Sequence, residues 1–175
     1  MKKFQFLLLD AGPIIKLFEL SLWEKFIERR DVTIARTVVE EAVHTGQRGS
    51  LGYIDFPFEK AAEQGRIKII DMDLRAIQSL LRDSTIEIKY AIDPGEAETF
   101  TFLMSSSEDF LMCTADGPVF SVLGFMNKVE KGISLEEVLN KIGLARPLEW
   151  QFTKKFREKY TRKGQVDATQ SQGLV

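Results

Sequence analysis

Short apolar runs alternate along the chain with longer stretches of helical periodicity. Residues 4–9, 32–35, 66–70 and 109–114 are mostly apolar runs of four to six residues. They are too short for buried helices and are typical of strands covered on both faces, with 66–70 expected at a sheet edge. The alternation predicts a three-layer α/β/α domain around a parallel sheet of four to five strands.

The segments between these runs have the spacing of amphipathic helices. Residues 13–29 are predicted to form two helices, broken near Ser21. Further helices are predicted over residues 57–64, 73–82, 118–126 and 148–162. The alternating residues 86–90 indicate a briefly extended segment, and residues 125–129 are a weak candidate for a fifth strand.

Three helix starts carry capping residues. Asp93 is followed three residues later by Glu96, which is the pattern of a capped helix with proline in its first turn. Ser134 begins a second helix in the same way, and Thr37 with Glu40 has the form of a capping box. The three helices are expected to end near residues 104, 142 and 44.

Acidic residues stand next to several of these predicted elements. Asp10 and Asp116 each follow a buried strand and precede the glycine and proline that open a helix. Glu96 lies in the first turn of a helix, and Glu40 and Glu41 lie in the first turns of the helix after the second strand. Because parallel strands end at one edge of a sheet, we expect four carboxylates to converge there.

Converging carboxylates repel one another unless a cation offsets their charge. The chain has one histidine and one cysteine, so the candidate ligands are oxygens, which suit Mg²⁺ or Mn²⁺. Such ions activate water and stabilise the leaving oxygen of a phosphodiester. Each acid alone also has a structural interpretation as a helix cap or a turn residue, and the prediction depends on the joint pattern.

The succession of acidic motifs resembles the PIN domain over roughly residues 4–145. The resemblance is carried by residues 8–15 (LLDAGPII), 38–41 (VVEE), 93–98 (DPGEAE) and 114–116 (TAD). It implies a parallel sheet with helices on both faces, and three or four acids that bind one or two Mg²⁺ or Mn²⁺ ions for cleavage of single-stranded RNA. Many PIN domains are toxins of toxin–antitoxin pairs and many form homodimers, so the resemblance also implies RNA, an antitoxin protein and a second copy as partners.

The resemblance assigns catalytic and metal-binding roles to four positions. Three acids and a supporting polar neighbour follow directly from it: Asp10, Glu96, Asp116 and Thr114. The remaining acid is Glu41 or Glu40. The spacing from Ile34 favours Glu41, and the capping role of Glu40 with Thr37 favours it as well.

Charge is distributed unevenly along the chain. The net charge is −2, which does not indicate a general nucleic-acid binder. Residues 151–175, however, contain six basic and two acidic residues, a net charge of +4. This segment either holds RNA phosphates or is a solvated helix face with its aromatic residues packed inward: Trp150, Phe152, Phe156 and Tyr160. The sequence leaves both interpretations open.

The expected organisation is a PIN-like nuclease domain over residues 1–147, a basic helix over 148–163 that packs on it or extends it, and a flexible polar tail over 164–175. The first apolar run is too short for a signal peptide, and no stretch is long enough to span a membrane. One cysteine, Cys113, excludes an internal disulfide and is expected to be buried and inert. We therefore expect a cytoplasmic protein.

Several residues and functions remain as alternatives. His44 is expected to be a surface residue rather than a ligand. Basic residues that are candidates to flank the acids are Lys16, Arg36, Arg48 and Lys89. The alternative function is a non-catalytic RNA-binding or protein-interaction module of the same fold. A phosphatase or receiver-like domain is disfavoured, because no second acid stands close to Asp10.

Overall fold

The computed structural model describes residues 6–48, 56–82 and 91–172. One five-stranded, all-parallel sheet lies at the centre, in the order β3-β2-β1-β4-β5. The strands are β1 (Phe6–Leu9), β2 (Val32–Ala35), β3 (Ile67–Ile70), β4 (Phe110–Cys113) and β5 (Gly132–Ile133). The three-layer α/β/α prediction is confirmed, as is the placement of β3 at an edge.

Helices connect the strands and flank the sheet. In the described ranges they are α1 (Ala11–Glu19), α2 (Trp23–Ile27), α3 (Arg36–Arg48), α4 (Phe58–Glu63), α5 (Leu74–Arg82), α6 (Pro94–Ser105), α7 (Gly117–Phe125), α8 (Leu135–Lys141) and α9 (Lys154–Gln172). Short 3₁₀ helices cover Val129–Lys131 and Trp150–Phe152. The predicted break between α1 and α2 is confirmed, because Ser21 has a φ of 54°.

Strand β1 lies in the middle of the sheet because it is apolar on both faces. Leu7, Leu8 and Leu9 are each at most 2% exposed. Leu7 pairs with Val32 of β2 on one side and with Leu111 of β4 on the other. Burial of such side chains is worth about 1.5–3 kcal/mol each before the entropy cost of ordering them, so this strand anchors the domain.

The order of the strands reverses next to β1. The chain proceeds from β1 through β2 to β3 on one side, and then places β4 and β5 on the other. A crevice opens at such a switch point, beyond the carboxyl ends of the strands, and ligands of open α/β sheets bind there. Asp10 and Thr114 are the residues that directly follow β1 and β4.

The fifth strand is not where the sequence weakly suggested. Residues 125–129 do not form it, because α7 ends at Phe125 and Asn127 adopts a φ of 56°. The Lys128 amide then donates to the Leu123 carbonyl at 2.8 Å, which is a helix-ending arrangement. The strand follows one short turn later, at Gly132–Ile133.

Two predictions about helices are also corrected. The predicted capping box of Thr37 and Glu40 is wrong, since α3 begins at Arg36 and both the amide and the hydroxyl of Thr37 donate to Glu98. The predicted helix over 148–162 is instead a 3₁₀ turn followed by α9, which continues to Gln172. Residues 164–172 are therefore helical rather than a flexible tail. The predicted extended segment 86–90 lies outside the described residues.

Helix α9 packs directly on α7 through two glycines. A Cβ at Gly124 would lie 2.0 Å from the Thr161 carbonyl oxygen, and a Cβ at Gly164 would lie 1.8 Å from the Ser121 carbonyl oxygen. The Ser121 hydroxyl also donates to the Tyr160 carbonyl at 3.1 Å. The two backbones therefore touch, with no side chain between them at the crossing.

The aromatic residues near the start of α9 divide between the core and the surface. Phe152 and Phe156 are buried, and Tyr160 is half-buried. Trp150 is 50% exposed, so the interpretation that all four pack inward is wrong for this residue. In the described part of the chain, no helix has the length and apolar character needed to cross a membrane.

Candidate functional site

Five carboxylates line one open pocket at the carboxyl edge of the sheet. The pocket has a volume of about 210 Å³, and its acidic lining consists of Asp10, Glu41, Asp93, Glu96 and Asp116. Gly12 and Ala115 complete the lining. The structure thus brings together the four acids singled out from the sequence, and it adds Asp93 to them.

Asp10 is held rigidly at the end of β1. Its Oδ1 accepts a hydrogen bond from the Ala11 amide at 2.8 Å, and its Oδ2 accepts one from the Thr114 hydroxyl at 2.6 Å. Its own amide continues the sheet by donating to the Cys113 carbonyl at 3.1 Å. Asp10 also forms the N-cap of α1. Its carboxylate therefore has a fixed orientation toward the pocket.

Thr114 connects the two acids that follow the central strands. Its hydroxyl donates to Asp10 and accepts a hydrogen bond from the Asp116 amide at 3.0 Å. Asp116 in turn caps α7, since its Oδ1 accepts from the Val119 amide at 3.4 Å. Because the Thr114 hydroxyl has both a donor and an acceptor role, it sets the spacing of Asp10 and Asp116.

Asp93 and Glu96 cap α6 and face the pocket at the same time. The Asp93 Oδ1 accepts from the Glu96 amide at 2.8 Å, and the Glu96 Oε2 accepts from the Asp93 amide at 3.0 Å, so the predicted capping box is confirmed. The sequence pattern marked Asp93 as a cap alone. The signal that it also belongs to the pocket is its position, since an N-cap side chain lies at the helix end that points toward the edge of the sheet.

Glu41, and not Glu40, reaches the pocket. Glu40 is exposed and is not part of the lining. Glu41 lies against the start of α6, where a Cβ at Gly95 would be 3.5 Å from the Glu41 Oε2. The residue is exposed as a whole, but its carboxylate is partly shielded by this contact. The Glu41 carboxylate therefore lies beside the cap of α6.

The carboxylates raise one another's pKa values. Burial first, and then the charges of Asp10, Asp93 and Asp116, raise the pKa of Glu41 to about 7. Burial and the charges of Asp116, Asp93 and Asp10 raise the pKa of Glu96 to about 8, against the hydrogen bond from the Asp93 amide. Burial also raises the pKa values of Asp10 and Asp116. The pocket therefore gathers carboxyl groups whose ionisation is disfavoured, because no basic residue of its described lining offsets their charge.

The basic side chains that were candidates to flank the acids form ion pairs outside the pocket where the structure describes them. Lys16 lies 2.5 Å from Glu19 and 2.7 Å from Glu149, and Arg36 pairs with Glu59. Lys89 and the side chain of Arg48 lie outside what the structure describes. No basic residue stands among the described residues that line the pocket.

The chemistry of the donor set fits a hard cation. All candidate ligands are carboxylate oxygens, which Mg²⁺ and Mn²⁺ prefer. Among the described residues, no group of three or more acidic, histidine or cysteine side chains is close enough to hold an ion as it stands. Mg²⁺ usually keeps several waters and takes one or two carboxylates directly, so it does not require three protein ligands in direct contact.

Other residues weighed from the sequence lie away from the pocket. His44 is exposed on α3 and does not line it. Cys113 is fully buried, as expected, and burial raises the pKa of its thiol further. Glu98 is only 1% exposed and faces away from the pocket, so that of the two glutamates on α6 one points to the site, as the helical spacing required.

Comparisons with known proteins give no family assignment. No protein-family model matches the chain, and a search of curated proteins finds no match.

Proposed function

We propose that this chain is a Mg²⁺- or Mn²⁺-dependent ribonuclease that hydrolyses phosphodiester bonds of single-stranded RNA. The observation that supports the proposal is the convergence of five carboxylates on one pocket at the topological switch point, with no basic residue in the described lining. Such a charge arrangement is costly unless a cation is bound. The resemblance of the acidic motifs to PIN domains supports the choice of RNA, and suggests a toxin of a toxin–antitoxin pair as the biological setting.

Each acid has a role that follows from how it is held. Asp10 and Asp116, tied together through Thr114, would be the fixed ligands at the ends of the central strands. Glu96 and Glu41 approach from α6 and α3 and would complete the ligand set or orient an attacking water through a hydrogen bond. When bound, the ion would supply an activated water and offset the charge that develops on the phosphate.

Asp93 has a supporting role in this arrangement. Its Oδ1 is occupied by the Glu96 amide, so the residue fixes the start of α6 and thereby the Glu96 side chain. Its charge also adds to the negative potential of the pocket, because it raises the pKa values of its neighbours. We therefore expect Asp93 to influence metal affinity more than the chemical step.

The deciding experiment measures metal binding and RNA cleavage with the same variants. Mn²⁺ is titrated into wild-type protein, Asp10→Asn and Asp116→Asn by calorimetry, and each protein is incubated with a pool of single-stranded RNAs. We expect saturable binding and cleavage in the wild type, and loss of both in the two variants. Glu40→Gln is the matched control, because it removes one negative charge from the same helix as Glu41 but outside the pocket.

A non-catalytic RNA-binding module is the second candidate. It is favoured by the absence, among described residues, of a ready-made cluster that could hold an ion. RNA affinity that persists in EDTA, together with no Mn²⁺-dependent cleavage of any RNA in the pool, would support this alternative and contradict the nuclease proposal.

A further inference from the structure

An acidic pocket repels the phosphates of RNA, so a nuclease built around it needs a positive surface close by to hold the strand. The described part of the chain offers such a surface on α9. Four exposed basic residues follow one another at helical spacing and form what we call the basic stripe: Lys155, Lys159, Arg162 and Lys163.

The like charges of the basic stripe carry a small cost for the helix. Lys155, Lys159 and Lys163 stand four residues apart, and like charges at this spacing destabilise a helix by about 0.2–0.5 kcal/mol per pair. Within the described residues, no member of the stripe takes part in an ion pair. Neighbouring charges on α9 do form pairs, since Arg157 binds Glu137 and Lys154 lies 3.6 Å from Glu158.

Contacts place the stripe next to the acidic pocket. Gly117 directly follows Asp116, and a Cβ at Gly117 would lie 2.6 Å from the ring of Tyr160. The Tyr160 ring therefore rests on the backbone at the rim of the pocket. The Lys159 Nζ lies 5.6 Å from the centre of the same ring. Lys159 and the backbone that follows Asp116 therefore contact the same aromatic ring.

A row of aromatic rings leads from Tyr160, beside Lys159, to the surface at Trp150. Tyr160 packs on Phe156 with ring centres 4.6 Å apart, and Phe156 packs on Trp150 with ring centres 6.0 Å apart. Trp150 ends the row and is 50% exposed. Exposed aromatic rings beside basic side chains are what proteins use to hold single-stranded nucleic acid, because bases stack on the rings while cations contact the backbone.

We propose that the basic stripe of α9, with Trp150 as a stacking residue, binds the phosphate backbone of a single-stranded RNA whose neighbouring segment enters the acidic pocket. The proposal rests on the proposed function for the role of the pocket. The binding itself requires no metal and is therefore measured separately from cleavage.

The test measures the affinity of the protein for a fluorescently labelled single-stranded oligouridylate, in EDTA and at a series of salt concentrations. The double variant Lys159→Gln/Lys163→Gln is compared with Lys25→Gln/Lys60→Gln, which removes the same charge from exposed positions on α2 and α4. Helix α4 packs on β3, at the sheet edge opposite to β5 and α9. Neither control lysine forms an ion pair within the described residues.

We expect the stripe variant to bind about tenfold more weakly, and its salt dependence to be shallower by about 1.4 in the slope of log affinity against log salt, as the loss of two phosphate contacts predicts. The control variant should match the wild type. Trp150→Ala should weaken binding by about fivefold or more with an unchanged slope, because stacking releases no counterions.

Equal affinity and slope in the stripe and control variants would overturn the proposal, as would an absence of measurable binding by the wild type. Cleavage assays separate this result from the proposed function. If RNA binding depends on the stripe but no Mn²⁺-dependent cleavage occurs, the nuclease proposal is contradicted and the role of the stripe is supported. If cleavage occurs but RNA binding does not depend on the stripe, the nuclease proposal is supported and the role of the stripe is contradicted.

Discussion

Two glutamates on α6 stand two residues apart and occupy opposite environments. Glu98 is 1% exposed, and its two carboxylate oxygens accept hydrogen bonds from the Met72 amide, the Thr37 amide and the Thr37 hydroxyl. Glu96 is 6% exposed, accepts one hydrogen bond from the Asp93 amide, and otherwise faces the carboxylates of the pocket. Both are buried acids, but only Glu98 accepts hydrogen bonds at both of its carboxylate oxygens.

The contrast shows how a structural carboxylate differs from one available to a ligand. Donors from α3 and from the segment before α5 surround Glu98, so its charge is used to join elements of the fold. Glu96 faces Asp10, Asp93 and Asp116, and its pKa is raised to about 8. Burial is therefore a poor guide to function here, and the balance of donors and like charges is a better one.

The largest expected effect comes from breaking the Glu98 site. Glu98→Ala leaves the donors of Thr37 and Met72 without acceptors in a buried place, and should lower the free energy of unfolding by about 3 kcal/mol. That loss corresponds to a fall of about 10 °C in the melting temperature. Urea and thermal unfolding measure it, with exposed Glu40→Ala as the control. A loss below about 1 kcal/mol would show that the donors find water instead.

The next largest effect is the stabilisation of the protein by a metal ion in the pocket that Glu96 faces. If the pocket holds an ion, Mn²⁺ at about a hundred times its dissociation constant should stabilise the protein by about 2.7 kcal/mol. Asp10→Asn should remove this gain, while Glu98→Gln should keep it, because Glu98 is no part of the pocket. Thermal unfolding with and without Mn²⁺ provides the measurement. An equal gain in Asp10→Asn would place the ion elsewhere.

A pH series sharpens the difference between the two glutamates. Without metal, folded Glu96 keeps its proton up to about pH 8, whereas in the unfolded chain it loses the proton near the ordinary glutamate pKa of 4.5. Stability should therefore fall as pH rises between these values and level off above them. Glu96→Gln, which keeps an oxygen for the Asp93 amide, should be more stable than the wild type by about 2 kcal/mol above about pH 8.

This prediction is measured by urea unfolding in EDTA at a pH of about 5.5 and another of about 8.5. The wild type should lose stability between the two, and Glu96→Gln should lose less. Some dependence will remain in the variant, since Glu41, Asp10 and Asp116 also have raised pKa values. A wild-type protein that gains stability with pH over this window would contradict the raised pKa of Glu96.

The smallest expected effect is at Thr114, which is fully buried and donates a hydrogen bond to Asp10 from outside the pocket lining. Thr114→Val removes the hydrogen bond to Asp10 and the acceptor of the Asp116 amide, and should cost about 1 kcal/mol of stability. Metal affinity should fall about tenfold, as for other residues that orient ligands. Calorimetry measures this, and Thr114→Ser retains the hydroxyl as the control. Equal affinity in both variants would remove the positioning role.

Local signals explain what the sequence predicted well. The strands at 6–9, 32–35 and 110–113 are marked by their own apolar side chains, and the caps at Asp93 and Ser134 are complete within four residues. Because parallel strands end at one edge, the approach of Asp10 to Asp116 followed from the strand pattern alone.

Long-range contacts explain what the sequence did not predict. Thr37 has the local pattern of a cap, but Glu98, 61 positions away, takes both of its donors. The polar composition of residues 164–175 predicted a flexible tail, yet α9 continues through Gly164 to Gln172. The small size of Gly164 is required by the Ser121 carbonyl on α7, a contact that its own neighbours in the sequence do not reveal. Strand β5 has two residues, too few for any periodicity to mark it.

The contact of α7 with α9 has a consequence for hydrogen exchange. Gly124 and Gly164 bring the backbones of the two helices into contact. Water can reach the amides at this crossing only after the two helices have separated completely. The amides of α9 around Gly164 should therefore exchange as slowly as those of the central strands, although the helix is rich in lysine and glutamine and lies at the end of the described chain. A segment whose composition suggests a loose tail would then belong to the last part of the protein to unfold.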